Sequence, residues 1–176
     1  ALATENYGDR DWIRLHLSLV EQTLRSRNTA QLSPSQKINR NAALDRLHEY
    51  WQQGNFPIND KYAYRTPIFI DDYNNFCAVG YLVKATGHEG ISRMIAATTN
   101  LAYVRQMDYP QLNTWANDYG FTTDELAWIQ PGYGPTGGCG TDNIGKGTNG
   151  DVNELYVNNA GDKLYVGGTF TQVDST

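Results

Sequence analysis

The chain has 176 residues, 40% hydrophobic and 19% charged, with a net charge of −5. That apolar share is enough to bury the core of one ordinary domain, or of one domain and a fragment, and it excludes a disordered chain. The acidic balance argues against a nucleic-acid or anionic-membrane partner, and no apolar run is long enough to span a bilayer.

Ala1-Leu2-Ala3 is the kind of small-residue stub that leader cleavage leaves, which would make this a mature exported protein. Residues 9–26 read as a first helix, with Asp9 as cap and Trp12, Ile13, Leu15, Leu17, Leu19, Val20 and Leu24 supplying apolar faces. His16 lies inside that pattern without a second histidine four residues on, so it reads as a packed helix residue. The second helix is better punctuated. Ser33 caps it, Pro34 takes the first helical position, Gln36 completes a capping box and Gly54 ends it. Its core face is expected at Ile38, Leu44, Leu47, Tyr50 and Trp51.

The stretch Thr66 to Gly87 is the most apolar part of the chain. Pro67 to Ile70 has strand chemistry, Asp71 to Asn75 has turn chemistry, and Cys77 to Val83 reads as a buried helix whose first turn carries Cys77. Further helices are expected at Ile91–Ala97, Leu101–Met107 and Pro110–Gly120. A last one follows the Thr122/Glu125 capping box and stops at Pro131. Composition then breaks: Gly132 to Gly150 is a Gly-rich linker or strap. Beyond it the period becomes two, and Val152–Val157 with Lys163–Val166 reads as a β-hairpin around an Asn/Gly/Asp turn. The expected fold is mainly α: an irregular multi-helix domain over 1–131 with a small β element near 67–76, a Gly-rich linker over 132–150, and a hairpin or the start of a β-repeat region over 151–176.

The segment Val152 to Val173, and Leu164, Tyr165, Val166, Gly167, Gly168, Phe170 and Thr171 in particular, resembles one repeat of bacterial extracellular β-propeller proteins. The block before it, with CAVGYL at 77–82, ATGHE at 85–89 and IQPGY at 129–133, is similar to helical domains of secreted bacterial proteins. The resemblance implies export and a longer parent protein, and it supplies no catalytic residue. One repeat does not close a propeller.

Two cysteines, Cys77 and Cys139, lack metal-ligand spacing. Cys139 sits in PTGGCG, where a free thiol would be easily oxidised, and a Cys77–Cys139 disulfide would staple that segment to the core with roughly 4 kcal/mol. Such a bond places the protein in the periplasm or outside the cell. Gly140 to Gly147 has phosphate-loop spacing, but Gly147 stands where Ser or Thr must hold magnesium and a strand follows, so it reads as linker. Asp71 and Asp72, helped by Asn74 and Asn75, form one calcium candidate, and Asp142 and Asp151 with Asn143 and Asn149 form another. No other cofactor is expected.

The strands leave a two-stranded element without an obvious sheet. Leu155, Val157, Leu164, Val166 and Phe170 are therefore the candidate interaction residues, for a protein partner or a second copy. The function expected is an exported, non-enzymatic binding or assembly module. The alternative is a secreted hydrolase using Asp71, Asp72 and His88, and Cys77 with His88 is the one nucleophile–base pairing on offer.

Overall fold

The computed structural model describes residues 8–136 and the strands 152–157 and 164–168. The chain divides into two units, Ala1–Thr136 and Gly137–Thr176. The first unit is mainly helical. Its second helix shows why. In α2 (Pro34–Gln53), Ser33 accepts the Gln36 N–H while the Gln36 side chain takes the Ser33 N–H, and Gly54 closes the helix in the left-handed region at φ 69°. The expected start and stop are both met.

Helix α1 (Asp9–Ser26) matches its expected span, but two expectations about it change. Asp9 is not the cap: Gly8 holds that position, and the Asp9 carboxylate instead takes the Arg65 guanidinium and the Gly134 N–H. The apolar residues also split into two stripes. Ile13, Leu17, Glu21 and Leu24 face inward at i, i+4, i+8 and i+11, whereas Trp12, Leu15 and Leu19 face out. In α2 the inward face is Arg40, Ala43, Leu44, Leu47 and Tyr50. Ile38 falls off that stripe and is 69% exposed, against expectation.

The central stretch enters the core without a sheet. Residues 66–70 make only isolated bridges, Thr66 with Tyr133 and Ile70 with Phe76, with a bend at Phe69, so the expected strand is reduced to bridges. Its Phe69 is fully buried, and the ring lies against Gly80 of α3 (Ala78–Ala85), where an added Cβ would stand 3.0 Å from Phe69 Cε1. A side chain at position 80 would therefore require the buried Phe69 ring to give way by a few tenths of an ångström. Cys77 is the N-cap of α3 rather than a first-turn residue, its sulfur accepting the Gly80 N–H at 3.3 Å. Helix α4 (Glu89–Thr99) packs on α3 and is tied to it by Ser92 Oγ donating to Gly80 O at 3.0 Å.

Leu101–Met107 yields only a 3₁₀ turn, Val104–Gln106. Helix α5 (Pro110–Asp118) and helix α6 (Thr123–Ile129) follow, the latter with the expected Thr122/Glu125 box. After Pro131 the chain still belongs to this unit: Tyr133 is buried and exchanges two backbone hydrogen bonds with Thr66. The helical unit therefore runs five residues past the expected boundary, to Thr136. In the second unit, strands β1 (Val152–Val157) and β2 (Leu164–Gly168) pair antiparallel, Leu155 opposite Val166 and Val157 opposite Leu164, with an irregularity between Val152 and Glu154. The turn expected between them lies outside the described residues. Among the described residues no helix is long and apolar enough to cross a membrane.

One buried ion pair joins three helices of the first unit. Arg40 donates to both Glu125 oxygens, at 3.0 and 2.8 Å, and also to the carbonyls of Gly120 and Leu24. Burial raises the Glu125 pKa, but hydrogen bonds from Arg40 and Thr122 outweigh it and hold the carboxyl below its ordinary 4.5. Its contribution to stability is complete above that pH and is lost as pH falls through the lower, folded value. Glu125→Gln should cost about 3 kcal/mol at neutral pH and flatten the acid limb of a plot of denaturation midpoint against pH. An acid limb parallel to that of the wild type would contradict the pairing.

Candidate functional site

The Asp71 turn follows from its residue types. A short acidic side chain can bond main-chain N–H groups just ahead of it, and Asn tolerates the left-handed backbone found at Asn74, φ 65°. Asp71 N–H donates to Asn75 O at 3.0 Å, and Asn74 N–H donates to Asp71 O at 3.1 Å. The carboxylate is buried and fully engaged. Oδ1 accepts from Tyr73 N at 3.0 Å and Asn75 N at 2.7 Å; Oδ2 accepts from Ile58 N and Asn75 Nδ2, both at 2.8 Å.

Its neighbour behaves differently. Asp72 points to solvent and pairs with Lys61, while Tyr73 donates to Asp60 at 2.7 Å. Adjacent residues on a turn diverge, so the two carboxylates do not converge on one atom. Both border a small cleft of about 40 Å³ with Lys61, Tyr62, Ile70 and Asn100. Among the described residues no group of three His, Cys, Asp or Glu side chains is placed to hold a metal ion. Asp142 and Asp151, the second calcium candidate, lie outside the described residues.

His88 is elsewhere. It lines a separate groove with Ser33, Asn39 and Tyr119, and its ring meets the Tyr119 ring edge-on at 6.1 Å. Cys77 and His88 are the N-caps of the successive helices α3 and α4, with the whole of α3, about 12 Å of rise, and then Thr86 and Gly87 between them. The Cys77 thiol is fully buried and forms no disulfide with a described residue, and burial pushes it up to about 12. A thiol so held is no nucleophile at neutral pH. Its expected partner, Cys139, lies outside the described residues.

Around Cys77 the core is phenolic. Tyr50 donates to Phe76 O at 2.8 Å, and burial pushes the Tyr50 and Tyr133 phenols well above their ordinary value. They stay protonated and structural. His16 is half-buried with Nε2 2.9 Å from Trp128 O, so that nitrogen carries the proton, and the packed-helix expectation holds.

Sequence reasoning missed a second polar centre. Glu21, on the inward stripe of α1, accepts from Trp51 Nε1 at 2.7 Å, Arg25 Nε at 2.8 Å and His48 Nδ1 at 3.0 Å. A carboxylate in phase with Ile13 and Leu17 was the available signal. It also missed the aromatic groove beside α6, because Tyr103 and Trp128, which line it, are distant in sequence. Of the candidate interaction residues, Leu155 and Val157 lie on β1, Leu164 and Val166 on β2, and Phe170 outside the described residues.

Asp71→Asn places an amide where Oδ1 or Oδ2 now accepts two N–H donors, so it should cost about 2–3 kcal/mol in chemical denaturation. Asp72→Asn should stay within about 0.5 kcal/mol of the wild type. Equal, small costs for the two would mean that the Asp71 carboxylate is not structurally committed. Comparison of the chain with protein-family models, with curated proteins and with solved structures finds no match, so the roles of these residues rest on their geometry.

Proposed function

We propose that this chain is an exported, non-enzymatic assembly module that binds a second copy of itself. The observation that carries this reading is the outward stripe on α1: Trp12, Leu15 and Leu19 are 45%, 54% and 53% exposed at spacings i, i+3 and i+7. At 100° per residue the stripe lies about 160° from the inward one, so α1 is apolar on two sides. An ordinary surface helix is apolar on one. Clustered, outward apolar side chains on an acidic, polar chain mark a contact face.

Two further features support it. The β1–β2 ribbon is two-stranded among the described residues, and each strand offers an outer edge for strand addition. Leu155, Val157, Leu164 and Val166 lie along those strands. Export is supported by the propeller-like repeat at 152–173 and by the pairing proposed for Cys77 with Cys139. Two of the groups able to do chemistry are meanwhile occupied, Asp71 by four N–H donors and Cys77 by capping α3. The hydrolase reading needs Asp71, Asp72 and His88 in one pocket, and they border two separate ones. It is not pursued.

Light scattering on the full chain should give a multiple of 19.7 kDa, falling to 19.7 kDa when Leu15→Glu and Leu19→Glu are combined. A wild type that is monomeric at all concentrations contradicts the proposal, and an oligomer dispersed only by Tyr156→Pro moves the interface to the ribbon. On the same preparation, alkylation after unfolding without reductant should label neither cysteine; two labels would remove the disulfide and its support for export.

A further inference from the structure

Among the described residues, Tyr73 is the phenol whose hydroxyl donates to a carboxylate, Asp60 Oδ2 at 2.7 Å. The residue sits on the exposed turn 72–74 and is 60% exposed. Its backbone is anchored from beneath, because the Tyr73 N–H donates to the buried Asp71 carboxylate at 3.0 Å. The turn therefore holds a phenol outward with a proton acceptor already in place.

The other phenols of the helical unit lack that combination. Tyr50 donates to the Phe76 carbonyl and is buried, as is Tyr133. The Tyr109 hydroxyl meets Thr98 and Thr99. Tyr64 is 62% exposed and packs its ring against Tyr62 at 5.9 Å, but its hydroxyl bonds no described carboxylate. Tyr64 and Tyr73 are thus matched in exposure and differ in the acceptor.

That difference decides which phenol gives up an electron more readily. A phenol that loses an electron becomes a strong acid, so its proton leaves with the electron when an acceptor stands at hydrogen-bond distance. The bond to Asp60, helped by the charges of Asp72 and Asp71, holds the Tyr73 hydroxyl above its ordinary 10. At neutral pH the proton is therefore on the oxygen and has to move. The same negative charges favour the electron-deficient ring.

We propose that Tyr73 is a site of oxidative tyrosine coupling, joining this turn to the same turn of a second copy in the presence of a haem peroxidase and hydrogen peroxide. In each copy the peroxidase takes one electron from the ring, while Asp60 takes the hydroxyl proton and passes it to water. The two phenoxyl radicals then bond through ring carbons ortho to oxygen. Each of those carbons gives up its hydrogen as its oxygen regains one and the ring becomes aromatic again. The two electrons and two protons lost reduce one peroxide to two waters. Such radicals couple on collision, so the reaction is independent of the α1 contact face.

The test treats the full chain with a haem peroxidase and limiting hydrogen peroxide, and follows the loss of each unmodified tyrosine peptide by mass spectrometry. Tyr73 should be consumed about five times faster than Tyr64, the gain expected when a charged acceptor replaces water. On a reducing, denaturing gel a band at twice 19.7 kDa should appear, with Tyr73 in both linked peptides. Tyr73→Phe should remove most of that band. Asp60→Asn, which keeps the shape and removes the charge, should slow Tyr73 about fivefold and leave Tyr64 unchanged. Near-UV circular dichroism confirms that both variants are folded. Consumption of Tyr64 or Tyr103 as fast as Tyr73, coupling confined to one chain, a band undiminished in Tyr73→Phe, or an unchanged Tyr73 rate in Asp60→Asn each overturns the proposal.

Discussion

The helical unit depends on a non-helical segment that has no sheet to pair with. Residues 66–71 and 76–77 enter the interior on either side of the exposed turn 72–74, and there every main-chain N–H and C=O left unpaired costs stability. Three polar side chains stand in for the missing strands. Asn100 uses both ends of its amide on Ile70, at 2.9 Å each, and its own carbonyl accepts from Phe69 N at 2.9 Å. Asn59 donates to the carbonyls of Tyr64 and Tyr133 and accepts from Tyr62 N. Asp71 collects Ile58, Tyr73 and Asn75. With those bonds made, Phe69 can lie on Gly80, and Cys77 N–H can donate to Phe69 O at 2.8 Å as α3 begins. Asp71, one of the catalytic candidates of the sequence, is consumed in holding this segment.

That arrangement accounts for what was legible. Helix ends announced themselves through local chemistry: Ser33, Pro34, Gln36 and Gly54 for α2, Thr122 and Glu125 for α6. Local signals of this kind do not depend on the rest of the fold. The choice between core and surface was less legible, because α1 carries two apolar stripes and only tertiary packing decides that Leu17 goes in and Leu15 stays out. The strand at 67–70 was misread for a related reason. Its residue types suit burial, but strand formation needs a neighbour at hydrogen-bonding distance, and Asn100 occupies that place.

The function proposed for this chain uses its surface. The first unit turns Trp12, Leu15 and Leu19 outward on one helix and Tyr73 outward on a turn. Neither was visible as a motif. The α1 residues looked like core, and the carboxylate that pairs with the Tyr73 hydroxyl is Asp60, on a separate loop. Contact surfaces need rigid backing, and the Arg40–Glu125 pair supplies some of it, since Arg40 also donates to the Leu24 carbonyl of α1.

The most direct check on the commitment of the central segment to structure is amide hydrogen exchange in the native state, read residue by residue. The amides of Ile58, Tyr73 and Asn75, which donate to Asp71, should exchange about as slowly as those in the buried turn of α3, although all three sit outside helices. Exchange at loop rates at these three positions, with α3 still protected, would contradict the account, because it would leave the Asp71 carboxylate free for other chemistry.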